Sequence, residues 1–190
     1  LMQSKYPIAF TGAGISVASG LPTFDIYWDN IPARDILTQY FFYENPGAFF
    51  NLYREILKWK NAEPNAAHRY LAKKGILIIT MNIDGLHQKA GSRDVIELHG
   101  NLRNLICEQC GRMYPADRAV RERIPHCSCG SILKPDLVLL GDQVHDWKLA
   151  IQKAKKCDLL MIIGTSLKVA PANLLPKIVE KNKARIIVIN

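Results

Sequence analysis

No uninterrupted apolar run in this 190-residue chain approaches the roughly 20 residues that a membrane-spanning helix requires. Its first residues lack the basic, apolar and small-residue succession of a secretory signal, so the sequence reads as soluble and cytoplasmic, with no membrane partner. It has no internal repeat and no low-complexity tract. Acidic side chains are the minority: 17 Asp and Glu face 25 Lys and Arg, a formal charge of +8 that suits an acidic partner such as nucleic acid. Those cations are scattered instead of gathered in one run, so a solvated basic surface accounts for them equally well. With 48% hydrophobic residues, the chain can bury one main core and one small satellite.

A third glycine is also missing. The stretch FTGAGISVASGLPTF, residues 10 to 24, follows the apolar run YPIAF and places Gly12 and Gly14 at a strand-to-turn junction, where backbone can approach a phosphate. The dinucleotide fingerprint G-x-G-x-x-G would need glycine or alanine at position 17, which holds Val17. No acid closes a strand about 20 residues further on, as hydride-transfer enzymes usually require. A phosphate loop remains in view, and a conventional dehydrogenase is disfavoured.

Cysteine is scarce but patterned. Four of five fall in two close pairs, Cys107 with Cys110 and Cys127 with Cys129, separated by 16 residues. Two such pairs can supply four thiolates to one tetrahedral zinc, and no position is left over for catalysis, so the metal is expected to be structural. Two disulfides or four ordinary thiols are the alternative, which an intracellular setting disfavours. The second pair has a single residue, Ser128, between its sulfurs, a departure from C-x-x-C. Cys157 opens the apolar run CDLLMIIG and reads as a core thiol.

Short apolar runs recur at PIAF, GILIIT, DVIEL, DLVLL, DLLMIIG and RIIVIN. They are continuous where a half-exposed strand would alternate, which predicts strands covered on both faces in a parallel α/β sheet. ENPGAFFNLYREILKW predicts a helix with Asn45 as N-cap and Pro46 in its first turn; EPNAAHRYLAKKG predicts another starting at Pro64 and ending at Gly75. Polar clusters follow three of the strands: TMNIDGLHQKAG, ELHGN and GTSLKVAPA. Singly, Asn82 and Asp84 read as well as helix caps, His99 as a turn residue, and Thr165 with Ser166 as turn caps. Together, at the carboxyl ends of parallel strands, they favour one ligand cleft.

In this order GAGIS, SGLPTF, NIDGLHQKAG, ELHGN, the four cysteines, KPDLVLLGD, GTSLKVAPA and the final IVIN resemble the sirtuins, NAD-dependent protein lysine deacylases, over nearly the whole chain. The resemblance implies an α/β fold: a Rossmann-like parallel sheet (residues 1–24, 64–104 and 134–190) with a smaller inserted domain, built from a helical and cofactor-loop part (25–63) and a zinc-binding module (105–133). It also implies that NAD is a consumed co-substrate: the acyl oxygen attacks the nicotinamide ribose carbon, nicotinamide leaves, and the acyl group passes to ADP-ribose. His99 takes the place of the general base, a role suited to a side chain that titrates near neutrality. Gly12, Ala13, Gly14, Phe24, Asn82, Ile83, Asp84, Gly164, Thr165, Ser166 and Asn190 fall at cofactor positions. Of these, Asp84 would accept the carboxamide N–H and Phe24 would cover the reacting face. Val138, Leu140, Gly141 and Val169 fall at acyl-lysine positions, and Cys107, Cys110, Cys127 and Cys129 hold one structural zinc.

The sequence departs from the family at several points. Phe24 is followed by DIYWDN where sirtuins usually carry arginine and a glycine-containing stretch. Met81 stands for a common glutamine, Leu140 for a phenylalanine and Asp142 for a glutamate. Sirtuins preferring acidic acyl groups carry a Tyr-x-x-Arg pair whose places here hold Phe50 and Tyr53; Arg54 lies one position late, about 100° around a helix. An apolar tunnel therefore points to acetyl or another neutral acyl group, with LVLL and KVA pairing with the target backbone. Acetylated lysine in proteins or peptides is the expected partner. Mono-ADP-ribosyl transfer on the same site is the nearest alternative. A zinc-bearing nucleic-acid module, kept alive by Arg112, Arg118, Arg121 and Arg123, is a more distant one.

Overall fold

The structure is a computed structural model that describes residues 4–23 and 26–190. The expectation for Phe24, and the neighbouring Asp25, therefore lie outside the described residues. Strand β1 (Pro7–Thr11) is the first apolar run, and it passes directly into a 3-10 turn over Ala13–Ser19. A two-residue ladder of β2 (Tyr27–Trp28) with β3 (Ile31–Pro32) leads into short helices at Ala33–Ile36 and Gln39–Glu44. The helix Pro46–Leu57 begins on proline, whose missing N–H would have had no partner in a first turn. Asn45 stands at its N-cap position, but its side chain makes no capping bond. The next helix, Ala66–Lys73, starts later than Pro64 because Asn65 caps it: Oδ1 accepts from the Ala67 and His68 amides, while His68 Nδ1 accepts from the Asn65 amide.

After β4 (Leu77–Thr80) and β5 (Val95–Glu97) the chain leaves the main sheet for β6 (Gly100–Ile106), β7 (Met113–Pro115) and β8 (Lys134–Leu137). It returns in β9 (Leu159–Ile163) and β10 (Arg185–Ile189). The main sheet has the order β10-β9-β1-β4-β5, with every neighbouring pair parallel. The chain first grows outward from β1 to β5 and then restarts on the other side of β1. The order therefore reverses between β1 and β9, which is where open α/β sheets bind ligands, beyond the carboxyl ends of the strands. Side chains alternate across the sheet: Ile8 and Phe10 pack with Ala150, Ala154, Leu175 and Val179 on one face, and Ala9 packs with Leu71 and Ile15 on the other. Both faces of β1, β4 and β9 are covered, as their continuous apolar runs predict, but β10 is exposed at all five positions, so RIIVIN does not follow that expectation. Cys157 is part of the first of these cores.

One run behaves differently from expectation. Lys134–Leu137, whose last two residues open DLVLL, pairs antiparallel with β6 in a separate three-stranded sheet, order β7-β6-β8. Composition cannot distinguish a buried strand of one sheet from that of another; the partner decides. A second core follows from this sheet, in which Phe42, Phe49, Phe50, Tyr53 and Ile56 of the helices pack with Leu102, Leu105, Cys107, Cys127, Leu133 and Leu137. The helical and cysteine-bearing segments thus share one hydrophobic core. Its strands also cross the expected boundaries, taking in Gly100–Ile106 and Lys134–Leu137.

Candidate active site

The loops after β1 and β9 touch. Gly14 N–H donates to the Gly164 carbonyl at 2.8 Å, and Gly12 N–H to that of Ile163 at 3.0 Å. A Cβ on Gly14 would fall 2.7 Å from Gly164 Cα, and one on Gly12 would fall 2.7 Å from Thr165 Cβ, so neither position admits a side chain without separating the loops. The spacing that departs from the dehydrogenase fingerprint therefore has a local cause: these glycines close backbone against backbone. Thr165 is buried, and its Oγ1 accepts from the Leu167 amide at 3.1 Å, the turn cap that the sequence left open. Asn190, at the end of β10, donates to the Thr165 carbonyl at 3.3 Å.

Behind this junction a polar network fixes the loop after β4. Asn82 Nδ2 donates to the Gly12 carbonyl at 3.1 Å and to Ser16 Oγ at 3.2 Å, and Ser16 Oγ donates to Asp84 Oδ2 at 2.7 Å. Asp84 Oδ1 accepts from the Leu86 amide at 2.9 Å, one residue ahead of the Gly85 N-cap of the helix Leu86–Lys89, and Asp84 also lines the cleft. Ser16 is buried and joins two loops, a role that sequence reasoning missed. The signal was present as the serine of GAGIS, but only tertiary contact reveals which carboxylate it meets.

His99 stands one residue before Gly100, whose φ is +79° and whose added Cβ would lie 2.0 Å from the Asp136 carbonyl oxygen. This close approach sets the imidazole at the mouth of β5. His99 Nδ1 lies 3.1 Å from the Met81 carbonyl. A carbonyl only accepts, so Nδ1 carries the proton, and Nε2 is left as the basic nitrogen of a neutral ring. Burial pushes the His99 pKa below its ordinary value; the Met81 bond pulls it up, and His145 pushes it down again. The ring is therefore neutral at physiological pH, with one nitrogen free to take a proton.

The carbonyl of His99 accepts from the Val138 amide at 3.0 Å, which joins the histidine to the segment Val138–Gly141. On its other side, Leu140 N–H donates to the Leu37 carbonyl at 2.9 Å and the Gln39 amide donates to the Leu140 carbonyl at 3.1 Å. Both backbone groups of Leu140 are thus already engaged, which corrects the reading of all of LVLL as a free pairing edge. Leu140 and Val169 are 60% and 44% exposed, so they form an open wall, not a closed tunnel. Phe50 and Tyr53 are buried in the helical core, and Arg54 donates to the Ala119 carbonyl at 2.9 Å and to Asn51 Oδ1 at 2.6 Å.

All the ligand residues expected from sequence, Phe24 aside, line one cleft of about 2040 Å³. Gly12, Gly14, Gly164, Thr165 and Asn190 are joined by the contacts after β1, β9 and β10, Asn82 is bonded to Gly12, and His99 is bonded to Val138, so the lining groups form one connected set. Ordinary small-molecule sites occupy roughly 300–1,000 Å³, so this cleft has room for two co-substrates. Glycine backbone, amide and carboxylate acceptors and a neutral imidazole at a switch point are a lining that fits a dinucleotide.

The four paired cysteines converge away from the cleft, with all four Sγ atoms within 4.8 Å of one another. Cys107 and Cys129 sulfurs are 3.4 Å apart, Cys110 and Cys127 3.5 Å. A tetrahedral zinc with bonds of about 2.3 Å spaces its sulfurs about 3.8 Å apart, so the cluster matches such an ion. None of the four is in a disulfide. Tyr114 Oη lies 3.3 Å from Cys127 Sγ, beside the cluster.

The model of the Sir2 family matches residues 12–171. An NAD-dependent protein deacetylase of Sulfurisphaera tokodaii is 42% identical over all of this chain and 81% of its own length, and an NAD-dependent protein deacylase 2 of Archaeoglobus fulgidus is also 42% identical, with the same coverage. A solved Sir2 homologue in complex with NAD superposes with a TM-score of 0.92 at 36% identity, covering 99% of this chain and 78% of the other. A Sir2 protein bound to a propionylated peptide superposes with a TM-score of 0.91 at 34% identity, covering 100% and 82%. Among the described residues no helix is long and apolar enough to cross a membrane. With its switch-point cleft, its cysteine cluster and these matches, the chain belongs to the Sir2 family, the sirtuins.

Proposed function

We propose that this protein is an NAD-dependent protein lysine deacetylase that transfers the acetyl group of acetyl-lysine to ADP-ribose and releases nicotinamide. The observation that carries this reading is the position and state of His99. It is neutral, its Nδ1 is committed to Met81, and its backbone is bonded to the acyl-side segment. NAD supplies the activated ribose carbon and the ADP-ribose acceptor. This chain's residues do the rest. The wall of Gly12, Ala13, Gly14, Gly164, Thr165 and Ser166 takes the phosphates and adenine ribose, with Asn190 beside it. Asn82, Ile83 and Asp84 take the nicotinamide side, where Asp84 has lone pairs for a carboxamide. His99 Nε2 receives a ribose hydroxyl proton. Val138, Leu140, Gly141 and Val169 take the acyl-lysine. Cys107, Cys110, Cys127 and Cys129 would hold a zinc that ties down the small module and supplies no chemistry.

A neutral acyl group suits the wall of Val138, Leu140 and Val169, and Arg54 is spent on the Ala119 carbonyl and Asn51. Propionylated and acetylated peptides bind related structures, in keeping with this preference. The cytoplasm, where NAD is present and thiols stay reduced, is the compartment that suits the cysteine cluster. Nucleic-acid association has only the net charge in its favour. Near the cysteines Arg118 pairs with Glu122 at 2.6 Å, and Arg112 is held by Ser128, which leaves less free charge for phosphates. The test is incubation with acetyl-lysine peptide and NAD, with products identified by mass. Deacetylated peptide, nicotinamide and O-acetyl-ADP-ribose are expected. ADP-ribosylated peptide would favour the transferase reading, and unchanged reactants would reject both.

A further inference from the structure

Lys134 is a buried cation outside the cleft's reacting groups, its side chain 8% exposed. Its ammonium lies 2.7 Å from Asp142 Oδ1 and 3.0 Å from Glu108 Oε1. Glu108 sits between Cys107 and Cys110 in sequence, so one end of this bridge is the cysteine turn. Tyr43 donates to the same carboxylate from the helix Gln39–Glu44. The other end is the acyl side of the cleft. Asp142 Oδ2 accepts from the Leu139 amide at 2.8 Å, and the Asp142 amide returns a bond to the Leu139 carbonyl at 2.9 Å. Gln39 also donates to Asp142 Oδ1, and a Cβ on Gly141 would fall 3.0 Å from Gln39 Oε1. Asp142 therefore folds Leu139–Asp142 into a fixed turn, and Lys134 is the cation that neutralises this largely buried carboxylate and ties it to the cysteine turn.

We propose that Lys134 is a positioning residue for acyl-lysine binding: bridging Glu108 and Asp142, it sets the register of Val138–Gly141 and so the affinity for the acylated peptide. The inference rests on the deacetylase reading of the cleft. Lys134 lies off the NAD wall, so its loss should separate the two co-substrates, weakening peptide while sparing NAD. A buried carboxylate left without its cation will seek water or a proton, and the turn it closes will loosen. Glu108 is about half exposed, so its end of the bridge is the weaker one.

The experiment compares wild type with Lys134→Gln, Lys134→Arg and Glu108→Gln. It reads binding of a fluorescent acetyl-lysine peptide by anisotropy, the KM values for peptide and NAD, and kcat. Lys134→Gln should raise the peptide Kd and KM by roughly tenfold or more, less than the about 30-fold or more that breaking a buried charge pair costs where the pair itself spans the interface, while NAD KM stays within about twofold. Lys134→Arg should recover most of that loss, and Glu108→Gln should cost less than about threefold. A folded Lys134→Gln that binds peptide as wild type does, or loses NAD and peptide affinity alike, would overturn the proposal. Where Lys134→Gln does not fold, Lys134→Gln with Asp142→Asn leaves no unpaired buried charge and is compared with Asp142→Asn alone: the double variant, which lacks the tie to Glu108, should bind peptide more weakly at unchanged NAD KM, and equal peptide affinity in the two would overturn the proposal. A wild-type protein that neither binds the peptide nor turns it over would instead reject the deacetylase reading itself.

Discussion

Replacing His99 separates a catalytic base from a residue that only satisfies a turn. His99→Ala removes the imidazole and its bond to the Met81 carbonyl, while Gly100 and the Val138 bond to the His99 carbonyl are backbone features that survive. Losing one such hydrogen bond costs about 1 kcal/mol, which in a chain of this size lowers Tm by about 2–4 °C. Losing a positioned base costs about 100-fold to 10,000-fold in turnover, or about 2.7–5.4 kcal/mol of transition-state stabilisation. His99→Asn sharpens the contrast, since its amide can still donate to Met81 but cannot serve as a base at neutral pH. Turnover, measured as nicotinamide release from acetyl-lysine peptide and NAD, should collapse in both variants. Stability, followed by thermal melting, should fall only in the alanine variant. In wild type, kcat/KM should decline on the acid side with an apparent pKa below 6.5, because burial lowers the His99 pKa and a protonated ring cannot accept. Turnover within tenfold of wild type in folded His99→Asn would refute the assignment.

Three further outcomes are expected. Zinc should be found at one ion per chain by metal analysis, and its removal by a chelator should lower Tm cooperatively, because the cysteine turns belong to the same core as the helices; a chelated protein that melts as before would contradict this. His87 is pushed down to about 3 by burial and by His68 beside it, so the unfolded chain takes up a proton that the fold refuses. The stability it contributes is complete above about pH 6.5 and is lost as pH falls toward 3, by up to about 1.4 kcal/mol per pH unit. Melting temperatures at pH 7.5 and 5 should differ accordingly, and equal values would reject the buried neutral pair. Acetyl-lysine peptide should be processed roughly tenfold or more faster than succinyl-lysine peptide, since an unpaired carboxylate against an apolar wall is costly; faster desuccinylation would show Arg34 or Lys168 reaching the acyl group.

What the sequence determined by itself is what short-range chemistry controls. Continuous apolar runs identified β1, β4 and β9 because a strand buried on both faces has no polar side to show, whereas the apolar run of β10 forms a strand of the same sheet with its side chains exposed. Pro46 marked a helix start because its missing N–H is harmless there, and four cysteines in close pairs marked a metal cluster because thiolates near in sequence are near in space. Polar residues after three strands marked the cleft because parallel strands end on one side. The tertiary structure decided everything that depends on a partner remote in sequence. The front of DLVLL joined an antiparallel sheet because β6 offered it an edge, and Leu140 spent its backbone on Leu37 and Gln39. Gly14 proved to serve contact with Gly164, a neighbour 150 positions away. The His99 tautomer depends on the Met81 carbonyl, and the burial of Lys134 on Asp142 and Glu108. A side chain's protonation and burial are set by the groups folded around it, and those groups come from other parts of the chain.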